Sequence, residues 1–232
     1  MIFVEIKMVQ PELIPFTFSD VLRSLGMPSA HRFSEPIGAL LEKTKDIASP
    51  KAFYLECPIE QRTEKMVFAG GQRFYSDRLS QNTKHSAVLY PFLCTCGKEM
   101  ADFAESLSDV AEVFAFDAIM EFYRKLMTFQ VKETIRRELP YGLVPRVDYP
   151  GDLWGWEIHD LKKLFRIFGD HAWEIGVSLS EFYMMTPLKT VAGVIYGEPE
   201  TETECPLCSL ERCSRREAPF SQVACLESLY RI

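Results

Sequence analysis

The chain has 232 residues, with 26 Lys and Arg against 33 Asp and Glu, a formal charge of −7, and 47% hydrophobic residues. This is the composition of an ordinary globular protein with enough chain to bury a core. The acidic balance argues against nucleic acid, whose binding needs a basic surface, and the short tract Arg212, Arg215, Arg216 is flanked by Glu211 and Glu217. Apolar runs stop well short of the ~20 residues that cross a bilayer, so no membrane partner is expected.

Residues 1–10 alternate like a strand and lack the basic region and cleavage site of a signal peptide, which predicts a cytoplasmic protein. Ser19 to Leu25 predicts a short helix closed by Gly26, with Pro28 beyond it. In Glu35 to Ile47, Ile37, Leu40, Leu41 and Ile47 recur at helical spacing. Ala52 to Ile59 and Thr63 to Ala69 have the character of strands, the second broken by Gly70-Gly71. Phe74 to Leu79 suits a short helix or a strand, and Ser86 to Cys96 is apolar enough for a buried strand.

Glu99 to Ser106 starts a helix. Asp109 to Leu139, free of Gly and Pro, places Val113, Phe116, Met120, Tyr123, Met127 and Val131 along one face, which predicts a long central helix ended by Pro140 and Gly142. Val144 to Asp152 has the pattern of a turn broken by proline and glycine. Asp152 can cap a helix whose apolar stripe is Trp154, Ile158, Leu161, Phe165 and Phe168, closed by Gly169. Ile175 to Leu179 and Lys189 to Tyr196 predict strands around a Met-Met-Thr-Pro bend. Beyond Gly197 the chain turns polar. Strands grouped apart from long helices predict an α+β fold, a twisted antiparallel sheet packed with a long central helix and shorter ones. The expected division is residues 1–197 as the folded domain and 198–232 as a cysteine-containing appendage.

Cys205, Cys208 and Cys213 have the spacing of a metal knuckle for zinc or an iron–sulfur cluster, with Cys225, Cys94 or Cys96 as a fourth ligand. Seven cysteines without an export signal favour reduced thiols or metal ligands over disulfides, and unligated thiols on a tail are the plainer alternative. Cys94 and Cys96 lie just before a helix, whose N-terminus can activate a thiol, but buried cysteines at a strand end fit the same pattern.

Four stretches, in order, resemble the reactivation domain of cobalamin-dependent methionine synthase, in the form of its stand-alone relatives. They are Asp117 with Glu121, the loop Pro145 to Asp152, Ile175-Gly-Val-Ser-Leu-Ser-Glu181, and Met185-Thr-Pro-Leu-Lys-Thr-Val-Ala-Gly193. Asp20 to Gly26 and Cys94-Thr-Cys-Gly97 add weaker matches. The loop departs from the family's Pro-Gly-Tyr order, and Thr190 and Ala192 stand where serines are usual. Ile195 replaces an expected aromatic, with Tyr196 beside it.

The resemblance implies a protein that binds S-adenosylmethionine and supports reductive methylation of a corrinoid. The cobalamin would be carried by a partner, a corrinoid-binding protein or methionine synthase subunit, and an electron-donor protein would supply reducing power. It carries a candidate ligand set: Glu121, Arg146, Val147, Asp148, Tyr149, Gly151, Lys189, Thr190, Gly193 and Tyr196. Arg146 suits the ligand's carboxylate, because the guanidinium fork makes two charge-assisted bonds. Glu121 or Asp148 suits the ammonium or ribose hydroxyls, Tyr149 or Tyr196 the cation or base, and Gly151 and Gly193 allow close backbone approach. Each has a plainer reading: Arg146 and Asp148 as a solvated ion pair, the glycines as turn residues, Glu121 as the i,i+4 partner of Lys125. Asp170-His171 to Gly176 lacks the spacer of the corrinoid-ligating Asp-x-His-x-x-Gly motif, so the corrinoid is expected on another protein. The alternative of another class is a non-catalytic scaffold subunit docking on a corrinoid or methyltransferase protein, with a structural metal at its cysteines.

Overall fold

The computed structural model describes residues 6–9, 19, 21–22, 34–152 and 155–199. Ten strands and six helices are described: β1 (Ile6–Val9), α1 (Ser34–Ile47), β2 (Lys51–Leu55), β3 (Cys57–Thr63), β4 (Met66–Ala69), β5 (Gln72–Tyr75), α2 (Asp77–Asn82), β6 (Val88–Thr95), α3 (Lys98–Ser106), α4 (Val110–Arg136), β7 (Leu143–Asp148), α5 (Leu161–Phe168), α6 (His171–Glu174), β8 (Ser178–Leu179), β9 (Met185–Thr186) and β10 (Thr190–Pro199). The architecture is α+β, as expected.

β6 is the spine of the sheet. Along one edge it pairs antiparallel with β10, Thr95 opposite Thr190 through Tyr90 opposite Ile195. Along the other it pairs first with β2 and then with β3. β1 closes one side against β2, β7 closes the other against β10, and β3 turns away to pair with β4, which pairs in turn with β5.

Alternation along the strands builds two cores from one sheet. Ala52, Tyr54, Phe92, Cys94 and Ile195 face Met127, Val131 and Ile135 of α4. Their neighbours Phe53, Leu55, Leu93, Ala192, Val194 and Tyr196 face Leu161, Leu164 and Phe168 of α5. Phe53 and Phe168 meet edge to face, ring centroids 5.4 Å apart. The first half of α4 leaves the sheet and packs Phe116, Ile119 and Met120 against Ile37 and Leu41 of α1 and Met100 of α3. Asp109 caps α4, its carboxylate accepting from the Ala111 and Glu112 amides.

Four sequence expectations change. The turn expected over Val144–Asp152 is the edge strand β7 as far as Asp148, where Pro145 is tolerated because, among the described residues, the strand has a partner on one side only. The helix expected from Asp152 begins at Leu161, after a single 3-10 turn at Ile158–Asp160, because Gly155 at φ +89° has left-handed backbone that an α-helix does not accommodate. Trp154 of its expected stripe lies outside the described residues. Thr63–Ala69 is divided by the turn at Glu64-Lys65, and Ile175–Leu179 is a strand only over Ser178–Leu179, because α6 and its closing turn take the residues before it. Of the expected Ser19–Leu25 helix, Ser19, Val21 and Leu22 are described, all three helical, with Val21 and Leu22 buried. Among the described residues no helix is long and apolar enough to cross a membrane.

Candidate functional site

β7 delivers the loop motif directly to β10: Arg146 lies opposite Tyr196 and Asp148 opposite Val194. Opposed residues share a sheet face, so the alternation divides the candidate set. Arg146, Asp148, Thr190 and Tyr196 lie on the α5 side. Val147 and Tyr149 pack on the α4 side, where Gly193 adjoins Phe92.

On the α5 side Asp148 is the hub. Its Oδ2 accepts from Asn82 Nδ2 at 2.9 Å and from the Tyr196 hydroxyl at 3.2 Å, while Arg78 Nε stands 4.0 Å from Oδ1. Arg146 Nε lies 3.7 Å from Glu198. Thr190 and Thr95 join their hydroxyls at 3.0 Å. Just past β7 the chain bends. The Asp152 amide donates to the Tyr149 carbonyl at 3.3 Å, and the Gly151 amide donates to that of Trp156 at 2.7 Å. Gly151 has φ +85°, and a Cβ there would stand 2.6 Å from Ile158 Cδ1, so any other residue at this corner is strained.

On the α4 side the Arg124 guanidinium grips Glu121, Nε to Oε2 at 2.8 Å; this partner is three residues on, where the sequence suggested Lys125. Burial pushes the Glu121 carboxyl up, but the Arg124 hydrogen bond and charge, with Lys189 and Lys125, outweigh it and hold it below the usual carboxylate range. Lys189 Nζ bonds Asp117 at 3.0 Å. Tyr149 meets Phe92 edge to face at 6.2 Å. A Cβ on Gly193 would come within 2.7 Å of the Asp148 carbonyl and 2.9 Å of the Tyr149 ring, so the glycine lets the two strands close up.

The loop and the strand are thus immediate neighbours, hydrogen-bonded as the antiparallel pair β7 and β10. The recess that borders Asp148, Tyr149 and Trp156 measures about 10 Å³, roughly the space of one water. Two of its walls, Ser76 and Arg78, also line an open groove of about 690 Å³ beside β5 and α2. Arg78 and Asn82 were not legible as site residues. The local signal, Ser76 followed by acidic Asp77, marks a helix start and says nothing of a contact to Asp148 across the fold.

Cys94 and Cys96 are buried, as is Cys57. Burial pushes the Cys57 and Cys96 thiols up to about 12, and Cys94 higher still, which leaves all three protonated. Among the described residues no group of three or more His, Cys, Asp and Glu side chains is placed to hold a metal. Cys205, Cys208, Cys213 and Cys225 lie outside the described residues.

Among solved structures, the chain is similar to the crystal structure of the MetH reactivation domain bound to AdoHcy. The TM-score is 0.59 at 11% sequence identity, covering 86% of this chain and 80% of that one. At that identity the likeness establishes the fold. No family model and no curated protein sequence matches the chain.

Proposed function

We propose that this protein binds S-adenosylmethionine and supports the reductive methylation of a corrinoid carried by a partner protein. The observation that supports it most is the fold shared, over most of both chains, with a domain solved in complex with AdoHcy. The motif residues are consistent with such a ligand. Asp148, Arg78, Arg146 and Tyr196 give one corner carboxylate, guanidinium and phenol groups, the donor set that suits an aminocarboxylate and ribose hydroxyls.

The chain's own task in this reading is placement. No side chain is required as acid or base, because the methyl group passes from the sulfonium to the reduced corrinoid while sulfur keeps the bonding pair and leaves as the thioether. Reducing equivalents come from an electron-donor protein. The division at residue 197, a cytoplasmic location, and zinc or an iron–sulfur cluster at Cys205, Cys208, Cys213 and Cys225 belong to the same proposal.

A second reading, a non-catalytic scaffold subunit, is favoured by the engagement of the candidate polar groups with one another: Glu121 with Arg124, Lys189 with Asp117, Arg146 with Glu198. The two separate in a methyl-transfer assay with methyl-labelled S-adenosylmethionine, a low-potential reductant and an inactivated corrinoid protein. The favoured reading expects label on the corrinoid only when this chain is present. Equal labelling without it leaves the scaffold reading.

A further inference from the structure

Asp148 is held from outside its own strand pair. Two of the residues that meet its carboxylate, Arg78 and Asn82, stand four positions apart on α2 and so share a face of that helix. Neither falls in the stretches that carry the family resemblance. α2 is short but pinned at both ends. Ser76 caps it, Oγ accepting from the Leu79 amide at 3.1 Å, and the Thr83 hydroxyl closes it by donating to the Leu79 carbonyl at 2.7 Å. Between them Leu79 joins the core with Leu161 and Leu164, and the Ser80 hydroxyl donates to the Thr63 carbonyl. A polar side chain on such a base has a fixed direction.

That direction matters at Asp148. Asn82 Nδ2 at 2.9 Å and the Tyr196 hydroxyl at 3.2 Å converge on the same oxygen, Oδ2, from two different elements. Two donors on one oxygen fix the place and the plane of a carboxylate, here one whose side chain is only 13% exposed. The Asn82 amide is neutral, so it orients this carboxylate without cancelling its charge.

We infer that Asn82 is a positioning residue: from α2 it sets the Asp148 carboxylate in the direction that meets the ligand's ammonium or ribose hydroxyls. The inference rests on the reading under Proposed function and deepens it, adding to the ligand corner a residue that acts through another. Charge-assisted hydrogen bonds are directional, and a carboxylate already held in place spends nothing on ordering when the ligand arrives. Tyr196 supports the same oxygen from β10, so the strand pair and α2 hold the carboxylate jointly.

A double-mutant cycle read by isothermal titration of the full chain with AdoHcy tests this, using Asn82→Ala, Asp148→Asn and the two combined, each checked for folding by circular dichroism. Asp148→Asn is expected to raise the Kd at least tenfold and Asn82→Ala at least fivefold. Added to Asp148→Asn, Asn82→Ala should raise it less than twofold, because the charge it positions is gone. A residue that only stiffens the fold would cost the same factor in both backgrounds. Tyr196→Phe, which keeps the ring and removes the hydroxyl from the same oxygen, replaces Asn82→Ala in the cycle if that variant does not fold, and the same pattern is expected of it. If the wild type binds AdoHcy and the cycle shows equal factors in both backgrounds, or either single variant binds as tightly as the wild type, the positioning role is overturned while the function stands. If the wild type binds no AdoHcy at millimolar concentration, both fall.

Discussion

Glu121 shows how one side chain can serve stability and still be a binding candidate. Its carboxylate is held below its ordinary value of 4.5 by the Arg124 guanidinium, against the opposing effect of burial. A carboxyl whose folded pKa is depressed stabilises the fold above its ordinary value and loses that contribution as the pH falls through the folded value. Glu121→Gln should therefore cost about 1 kcal/mol at pH 7, the scale of one charge-assisted hydrogen bond on a partly screened site. In urea titrations from pH 7 to pH 3, the gap between variant and wild type should narrow below about pH 4.5; a gap that is constant with pH would assign the loss to packing. The cysteines make a separate prediction. Cys57, Cys94 and Cys96 are buried and protonated, so iodoacetamide mapped by mass spectrometry should leave all three unmodified in the native protein and modify them in urea. Modification of Cys94 or Cys96 under native conditions would restore the reactive-thiol reading.

At the scale of elements, the contact of β7 with β10 organises everything near the motif. Gly193→Ala would drive a Cβ to within 2.7 Å of the Asp148 carbonyl, and backbone cannot swing aside as a side chain can. The expected loss is about 1–3 kcal/mol, from overpacking, with the Val194–Asp148 end of the pairing exchanging faster in amide hydrogen exchange. Unchanged stability would mean the edge strand adapts freely. The same region shows what a sequence reveals and what it hides. The helix at Ser34–Ile47 and the long helix α4 were legible because their apolar residues recur at a fixed period and clear stops follow them. β6 was legible because it is apolar throughout, buried on both faces. β7 was not, since Pro145 and Pro150 look like turn residues and only pairing with a strand some fifty residues later makes Leu143–Asp148 extended. The helix after it was drawn too long, because Ile158 continues the apolar spacing while standing exposed in the 3-10 turn.

On the scale of the whole molecule, one sheet has a helical layer on each face, and the motif strand at its edge touches both. The ordered resemblance from Glu121 to Gly193 pointed to the fold that the chain adopts and that the AdoHcy-bound MetH reactivation domain shares. It could not say on which face each residue would fall, because a strand alternates and motif matching does not track faces. Arg146, Asp148 and Tyr196 went to one side, and Tyr149, Gly193 and Glu121 to the other. Nor could it find Arg78 and Asn82, which meet Asp148 only through the tertiary fold. The central claim is that this architecture holds a sulfonium nucleoside or its thioether product. Isothermal titration of the wild-type chain with S-adenosylmethionine and with AdoHcy tests it most directly. The account predicts saturable binding of both at one site per chain, with competition between them. The absence of heat from either ligand at millimolar concentration, with the protein folded by circular dichroism, would contradict it.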